Sequence, residues 1–203
     1  MSRSFRIIGS LGDLPQSSRG PAHLVWWGNT GFMAIEGMAF LLAAACYVYL
    51  IGRSPSWPPP GDAPPPLLWS GIFTLALVAS EIPNLILLKA VEARNEAHVR
   101  WLALLMSAIG LGLLILRGVE IAHLTPRWDK NAYASVMWML MVLHTSHIVS
   151  ELGETTVQTI WLFTHEIGDD QYADVEDDGN YWTFVVVAWL PIYGLIYWLP
   201  RVL

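Results

Sequence analysis

The chain has one cysteine, Cys46, placed in an apolar run. A disulfide framework and a cysteine-based metal site are both excluded. Charge is scarce: only 14% of the 203 residues are Asp, Glu, Lys or Arg, roughly half the share in an ordinary soluble domain. The 11 basic residues are scattered, which argues against a nucleic-acid surface. Between His165 and Asn180 there is no Lys or Arg, only Glu166, Asp169, Asp170, Asp174, Glu176, Asp177 and Asp178 among the charged groups. That stretch reads as a solvated loop. The first 22 residues are polar, with Arg3, Arg6 and Arg19 and no short apolar core before a small-residue site, so no cleavable signal peptide is expected. No repeat of fixed period and no second domain is visible.

What is abundant is apolar surface. Hydrophobic residues make up 54%, including 11 tryptophans, and the mean hydropathy is +0.44. This composition points to a bilayer rather than an aqueous surround, and the formal charge of −6 comes largely from the acidic stretch. An N-terminal arm over residues 1–29 ends in Trp26-Trp27, a pair suited to a membrane interface. Five apolar spans follow, at about 30–51, 67–88, 101–122, 133–163 and 181–199, each long enough to cross about 30 Å of hydrocarbon. The expected fold is an all-α integral membrane bundle over residues 30–203. Between the first two spans, Pro55 to Pro66 holds too many prolines for a helix interior and reads as a stiff connector. Pro83 is expected to kink the second span. Lys89 to Arg100 reads as a loop, and Arg117, Glu120 and His123 mark the far end of the third span, with Arg117 free to snorkel. An odd number of crossings puts the termini on opposite sides. Arg3, Arg6, Arg19, Lys89, Arg94 and Arg100 then share the N-terminal side, which places the N-terminus in the cytoplasm.

Titratable groups inside apolar helices are costly and direct attention to purpose. His144 and His147 lie three apart on one helix face, and Glu151 and Glu154 continue it. A rise of 1.5 Å per residue puts Glu36, Glu81 and His147 roughly 10 Å inside the N-terminal-side boundary, in one layer, with Glu120 and His123 near the other face. A carboxylate-bridged di-metal site needs a second Glu-x-x-His at a common depth, and the Glu120-to-His123 spacing has no such partner. Six histidines, three of them in arms or loops, also fall short of a haem-bearing core. Two readings of the interior groups stay open. Glu36, with no adjacent cation, is expected to keep its proton and fix packing through a hydrogen bond to His147, or the two relay protons.

Four segments carry a resemblance. Phe32-Met33-Ala34-Ile35-Glu36-Gly37-Met38-Ala39-Phe40, His144-Thr145-Ser146-His147-Ile148-Val149 and Tyr181-Trp182-Thr183-Phe184-Val185-Val186-Val187-Ala188-Trp189-Leu190 occur in order, with Glu120 closing a Gly-rich third span. Together they resemble subunit III of haem-copper terminal oxidases in its short five-helix form: its buried-glutamate span, its His-Gly-x-His-Val motif and its C-terminal Tyr-Trp-His-Phe-Val-Asp-x-Val-Trp signature. The resemblance covers about residues 24–203. Thr183 and Val186 stand where His and Asp are usual, and Glu151 stands where a glycine is expected.

The resemblance implies a non-catalytic subunit in a bacterial inner membrane, with no active site of its own. It implies packing against oxidase subunits I and II, bound phospholipid, support of proton uptake, and an indirect link to cytochrome c. Haem and copper would belong to the partner subunits, with none bound by this chain. Glu36 and His147, then His144, Glu81 and Glu120, are the side chains expected to matter. Rival readings are an accessory subunit of a quinol oxidase or nitric oxide reductase, or a stand-alone membrane metalloprotein.

Overall fold

The computed structural model describes residues 24–203; most of the expected N-terminal arm lies outside them. Five long helices account for most of the described residues: α1 Leu24–Arg53, α2 Leu67–Glu92, α3 Glu96–Ala122, α4 Ala132–Thr164 and α5 Asp169–Tyr193. The last continues through a π-helical turn, Gly194–Trp198, into a final turn, Leu199–Val202. All five are long and apolar enough to cross a membrane. The protein is an all-α, multi-pass membrane bundle.

Helices α2, α3, α4 and α5 close into a ring, α2 against α3, α3 against α4, α4 against α5 and α5 back against α2. Helix α1 lies outside, on the seam between α4 and α5. It buries only Phe40, Ala43 and Tyr47, while Ile35, Leu41, Leu42 and Val48 face outward. The hydrophobic effect does not drive helices together inside lipid, so close fit and polar contacts hold such a bundle. Gly179 of α5 is the clearest close approach: a Cβ there would lie 2.8 Å from Leu88 Cδ2 and 3.0 Å from Asn84 Oδ1 of α2. The helix α2 runs through Pro83 without a break.

Helix ends differ from the sequence-based expectation in three places. Residues 24–29, assigned to the arm, already belong to α1. The segment 89–100 is mostly helix, because α2 runs to Glu92 and α3 starts at Glu96, capped by the Asn95 side chain, which accepts from His98 N–H. The acidic stretch is the largest correction. It is not a loop: α5 begins at Asp169, and Asp177 and Asp178 are buried. Two acids in its first turn favour the helix N-terminus, where the dipole is positive. Asp169 also pairs with Arg94 of the α2–α3 turn at 2.5 Å. The missing cation of the acidic stretch comes from another hairpin.

At the opposite end the proline-rich connector folds back as a cap. Trp57 Nε1 donates to Tyr47 Oη at 3.1 Å, and its ring meets Tyr133 edge-on. Asp62 accepts from Lys130 Nζ and, at 2.6 Å, from Asn131 Nδ2, clasping the α1–α2 connector to the α3–α4 turn.

Candidate functional site in the bundle interior

Helix α4 presents His144, His147 and Glu151 to the interior, all buried. Glu154, the fourth member of the expected stripe, is exposed. The two histidines have separate surroundings, and their hydrogen bonds settle their chemistry.

His147 meets α1. Its Nε2 lies 3.0 Å from Glu36 Oε1, off the line that a good hydrogen bond prefers. Its Nδ1 lies 2.6 Å from the Leu143 carbonyl oxygen. A carbonyl only accepts, so Nδ1 carries hydrogen. Nε2 then faces a carboxyl oxygen, and a bare nitrogen facing a carboxylate would be repulsive. One proton must lie between them, on Glu36 or on His147. Tyr181 of α5 donates to the other oxygen, Glu36 Oε2, at 2.6 Å. The pairing of Glu36 with His147 inferred from depth is present, and Tyr181 completes it as a third member.

His144 turns the other way, toward α3. Its Nδ1 lies 3.0 Å from Arg117 Nη2. Guanidinium only donates, so Nδ1 accepts, and Nε2–H donates to the Val185 carbonyl at 3.1 Å. Both ring nitrogens are used and the tautomer is opposite to that of His147. His144 has no lone pair left for a metal and no free proton to pass on.

Arg117 does not snorkel; it is fully buried. Its Cζ lies 3.6 Å from the Phe73 ring centroid and 4.0 Å from that of Trp189. A planar, weakly hydrated guanidinium tolerates this slot as a lysine ammonium would not. Nη1 donates to Glu120 Oε2 at 2.7 Å, and Tyr197 Oη donates to Glu120 Oε1 at 2.6 Å. His144 is therefore joined to Glu120, which the depth argument had placed in a separate layer. The guanidinium spans the gap that helical rise alone leaves. His123, three residues on, is exposed and bonds to the Val119 carbonyl of its own helix.

Glu81 lies in a third setting. Thr183 Oγ1 donates to its Oε1 at 2.6 Å, Asn84 Nδ2 reaches the same oxygen at 3.3 Å, and Oε2 has no partner. Asn84 Nδ2 also donates to the Gly179 carbonyl at 2.9 Å. Thr183 follows Tyr181 by two residues on α5, a rise of about 3 Å, so Glu81 and Glu36 share a layer on two sides of that helix. Among the described residues, no group of three His, Cys, Asp or Glu side chains is arranged to hold a metal ion.

Reading the sequence for sites missed Arg117, Tyr181 and Tyr197 as partners, and Asp178 as a buried acid. Arg117 carried a signal: a basic residue one turn from Glu120, on an otherwise apolar helix, is an i, i+3 ion pair. The tyrosines carried none, because tyrosine near a span end reads equally well as interfacial. Compared with known proteins, the sequence matches no family model and no curated protein.

Proposed function

We propose that this chain is a non-catalytic subunit of the subunit III type in a haem-copper terminal oxidase, in a bacterial inner membrane with its N-terminus in the cytoplasm. What supports the reading is a convergence. Glu36, His147 and Tyr181 come from three separate segments of the resemblance, and they meet at the Glu36 carboxyl, which accepts from Tyr181 and lies 3.0 Å from His147 Nε2. His144 and Glu120, from the second segment and the third span, meet through Arg117. Matches on four separate helices thus come together in the folded bundle.

In this role the interior polar groups fasten the helices, while the outer faces carry the interaction. The exposed apolar rows of α1 and α3 are available to subunits I and II and to lipid. An apolar crevice of about 380 Å³ between α1 and α5, lined by Gly37, Met38, Phe184 and Leu195, suits an acyl chain. Haem, copper and the reduction of oxygen belong to the partner subunits, and cytochrome c reaches the complex through them. The acidic N-terminal turns of α5 stand beside the cytoplasmic face and support proton uptake.

The test is affinity purification of the tagged chain in mild detergent, with identification of its companions and a visible spectrum. The expected result is a haem-containing complex whose second subunit carries a copper-binding Cys-x-x-x-Cys stretch. Stoichiometric iron or copper on this polypeptide alone would overturn the proposal. A companion catalytic chain lacking the copper domain would move it to a quinol oxidase or nitric oxide reductase.

A further inference from the structure

At the N-terminal-side end of the bundle a cleft of about 830 Å³ opens between α1, α4 and α5. Its apolar walls include Phe32 of α1 and Val157 and Trp161 of α4. Three acids line it as well, Glu154 of α4 and Asp174 and Asp177 of α5, and no Lys or Arg does among the described residues. Asn29 of α1 donates to the Asp177 carbonyl at 2.8 Å, which ties the α1 wall to the α5 wall. Glu154 lies roughly 33 Å along α4 from Ala132, past a hydrocarbon layer of about 30 Å. The acids of the cleft therefore stand in the headgroup and water region, where a charged polypeptide segment can enter.

An occupant must offer apolar side chains to the walls and positive charge to the acids. An anionic lipid headgroup fails the second demand, because it sets like charges side by side. Residues 1–23 of this chain meet both. They carry Arg3, Arg6 and Arg19 against a single acid, Asp13, with Phe5, Ile7, Ile8, Leu11 and Leu14 interspersed. They also join the bundle at the right place. Leu24 opens α1, and Val25, the next residue, already lines the cleft. A chain covers at most about 3.5 Å per residue, which gives Arg19 a reach of about 18 Å from Leu24 and Arg6 about 63 Å. Both can arrive at Glu154, Asp174 and Asp177.

We propose that the cleft is the docking site of residues 1–23 of the same chain, with arginines set against its acids and apolar side chains against its walls. Exposed ion pairs are individually weak, but a covalent tether keeps the segment at an effective concentration of order millimolar. Docking joins the start of α1 to α4 and α5, beyond the Asn29 contact. It involves this chain alone, so its test does not depend on the oxidase assignment.

Photo-cross-linking of the purified full-length chain in mild detergent identifies the occupant directly. In a Cys46→Ala background, Val157→Cys takes benzophenone maleimide at the cleft wall, where Val157 is 69% exposed. Irradiation and mass spectrometry are expected to find the adduct on a peptide from residues 1–23 of the same molecule. An adduct on a second copy, on a co-purified partner chain, or on lipid or detergent alone would overturn the docking. Trypsin supplies a second readout, since it cuts after Arg3, Arg6 and Arg19. Glu154→Gln with Asp174→Asn should be cut at these sites about fivefold faster than the wild type, the effect of losing two exposed ion pairs. The difference should vanish in about 1 M NaCl, where charges are screened beyond about 3 Å. Equal rates at low salt would count against the docking, and these two substitutions keep the shape of the side chains they replace.

Discussion

Arg117 sits between two aromatic rings with its charge answered by Glu120, and both side chains are almost wholly withdrawn from the surface. Removing one partner of such a pair leaves an uncompensated buried charge, a loss of about 3–5 kcal/mol. Arg117→Ala should therefore unfold at markedly lower temperature in detergent, followed by circular dichroism. Arg117→Met combined with Glu120→Gln should recover much of the loss, because neither charge then remains. Equal stability of Arg117→Ala and wild type would show that the pair fastens nothing. Glu36 calls for a subtler pair of variants. In Glu36→Gln the amide can donate to His147 Nε2 while its carbonyl accepts from Tyr181, so the wiring of the neutral pair is kept. Glu36→Leu orphans both partners, at about 1–3 kcal/mol for each buried group. The expected order of thermal stability is wild type, then Gln close behind, then Leu well below; equal Gln and Leu variants would contradict it. Glu36 with His147 was legible in the sequence because depth along a helix follows from counting residues. Arg117 was not, because counting locates a Cα and says nothing of where a long side chain reaches.

Between elements, contact depends on what each surface lets approach. Gly179 admits α2 so closely that an added methyl would meet Leu88 and Asn84. Leu88 can swing its tip aside, but Asn84 is tied to Gly179 and Thr183. Gly179→Ala should destabilise the bundle by about 1–3 kcal/mol through overpacking, and Leu88→Ala in the same chain should recover only part. Full recovery in the double variant would mean that Asn84 is not under pressure. The connector clasp gives a test by pH. Burial by itself raises the Asp62 carboxyl, but hydrogen bonds from Lys130 and Asn131 and the Lys130 charge outweigh it and leave it below its ordinary value. A depressed carboxyl stabilises the folded state fully above its unfolded value of about 4, and that contribution is lost as pH falls through the folded value. Hydrogen exchange over the turn 124–131 should accelerate on acidification in the wild type, beyond the intrinsic chemistry, and lose that pH-dependent step in Asp62→Asn. A step of the same size in the variant would remove Asp62 from the clasp. The five helices were readable from apolar runs alone, and the cap over Pro55 to Pro66 was readable as irregular. The start of α5 was not. Composition treats seven acids as solvated, whereas six of them lie in α5, where the helix dipole and Arg94 favour its start, and Asp177 and Asp178 are buried.

At the scale of the whole molecule, the corrected positions sharpen the orientation. With Arg117 buried, it no longer counts as a charge at either face. Counted from the sequence, the expected N-terminal side has Arg3, Arg6, Arg19, Lys89, Arg94 and Arg100, and the opposite side Arg53, Arg127, Lys130 and Arg201. Short loops rich in Lys and Arg stay in the cytoplasm, and carboxylates contribute little to that rule. The acidic start of α5 therefore does not oppose a cytoplasmic N-terminus. In the proposed orientation a cleft between α1, α4 and α5, with Glu154 and Asp177 at its rim, opens on the cytoplasmic face. The single cysteine makes this simple to check. In a Cys46→Ala background, Asp129→Cys and Asp170→Cys put one exposed thiol on each face. A membrane-impermeant maleimide applied to intact bacteria with a permeable outer membrane should label Asp129→Cys and spare Asp170→Cys until the cells are broken. The reverse pattern would turn the bundle over, move the cleft outside and contradict a cytoplasmic N-terminus.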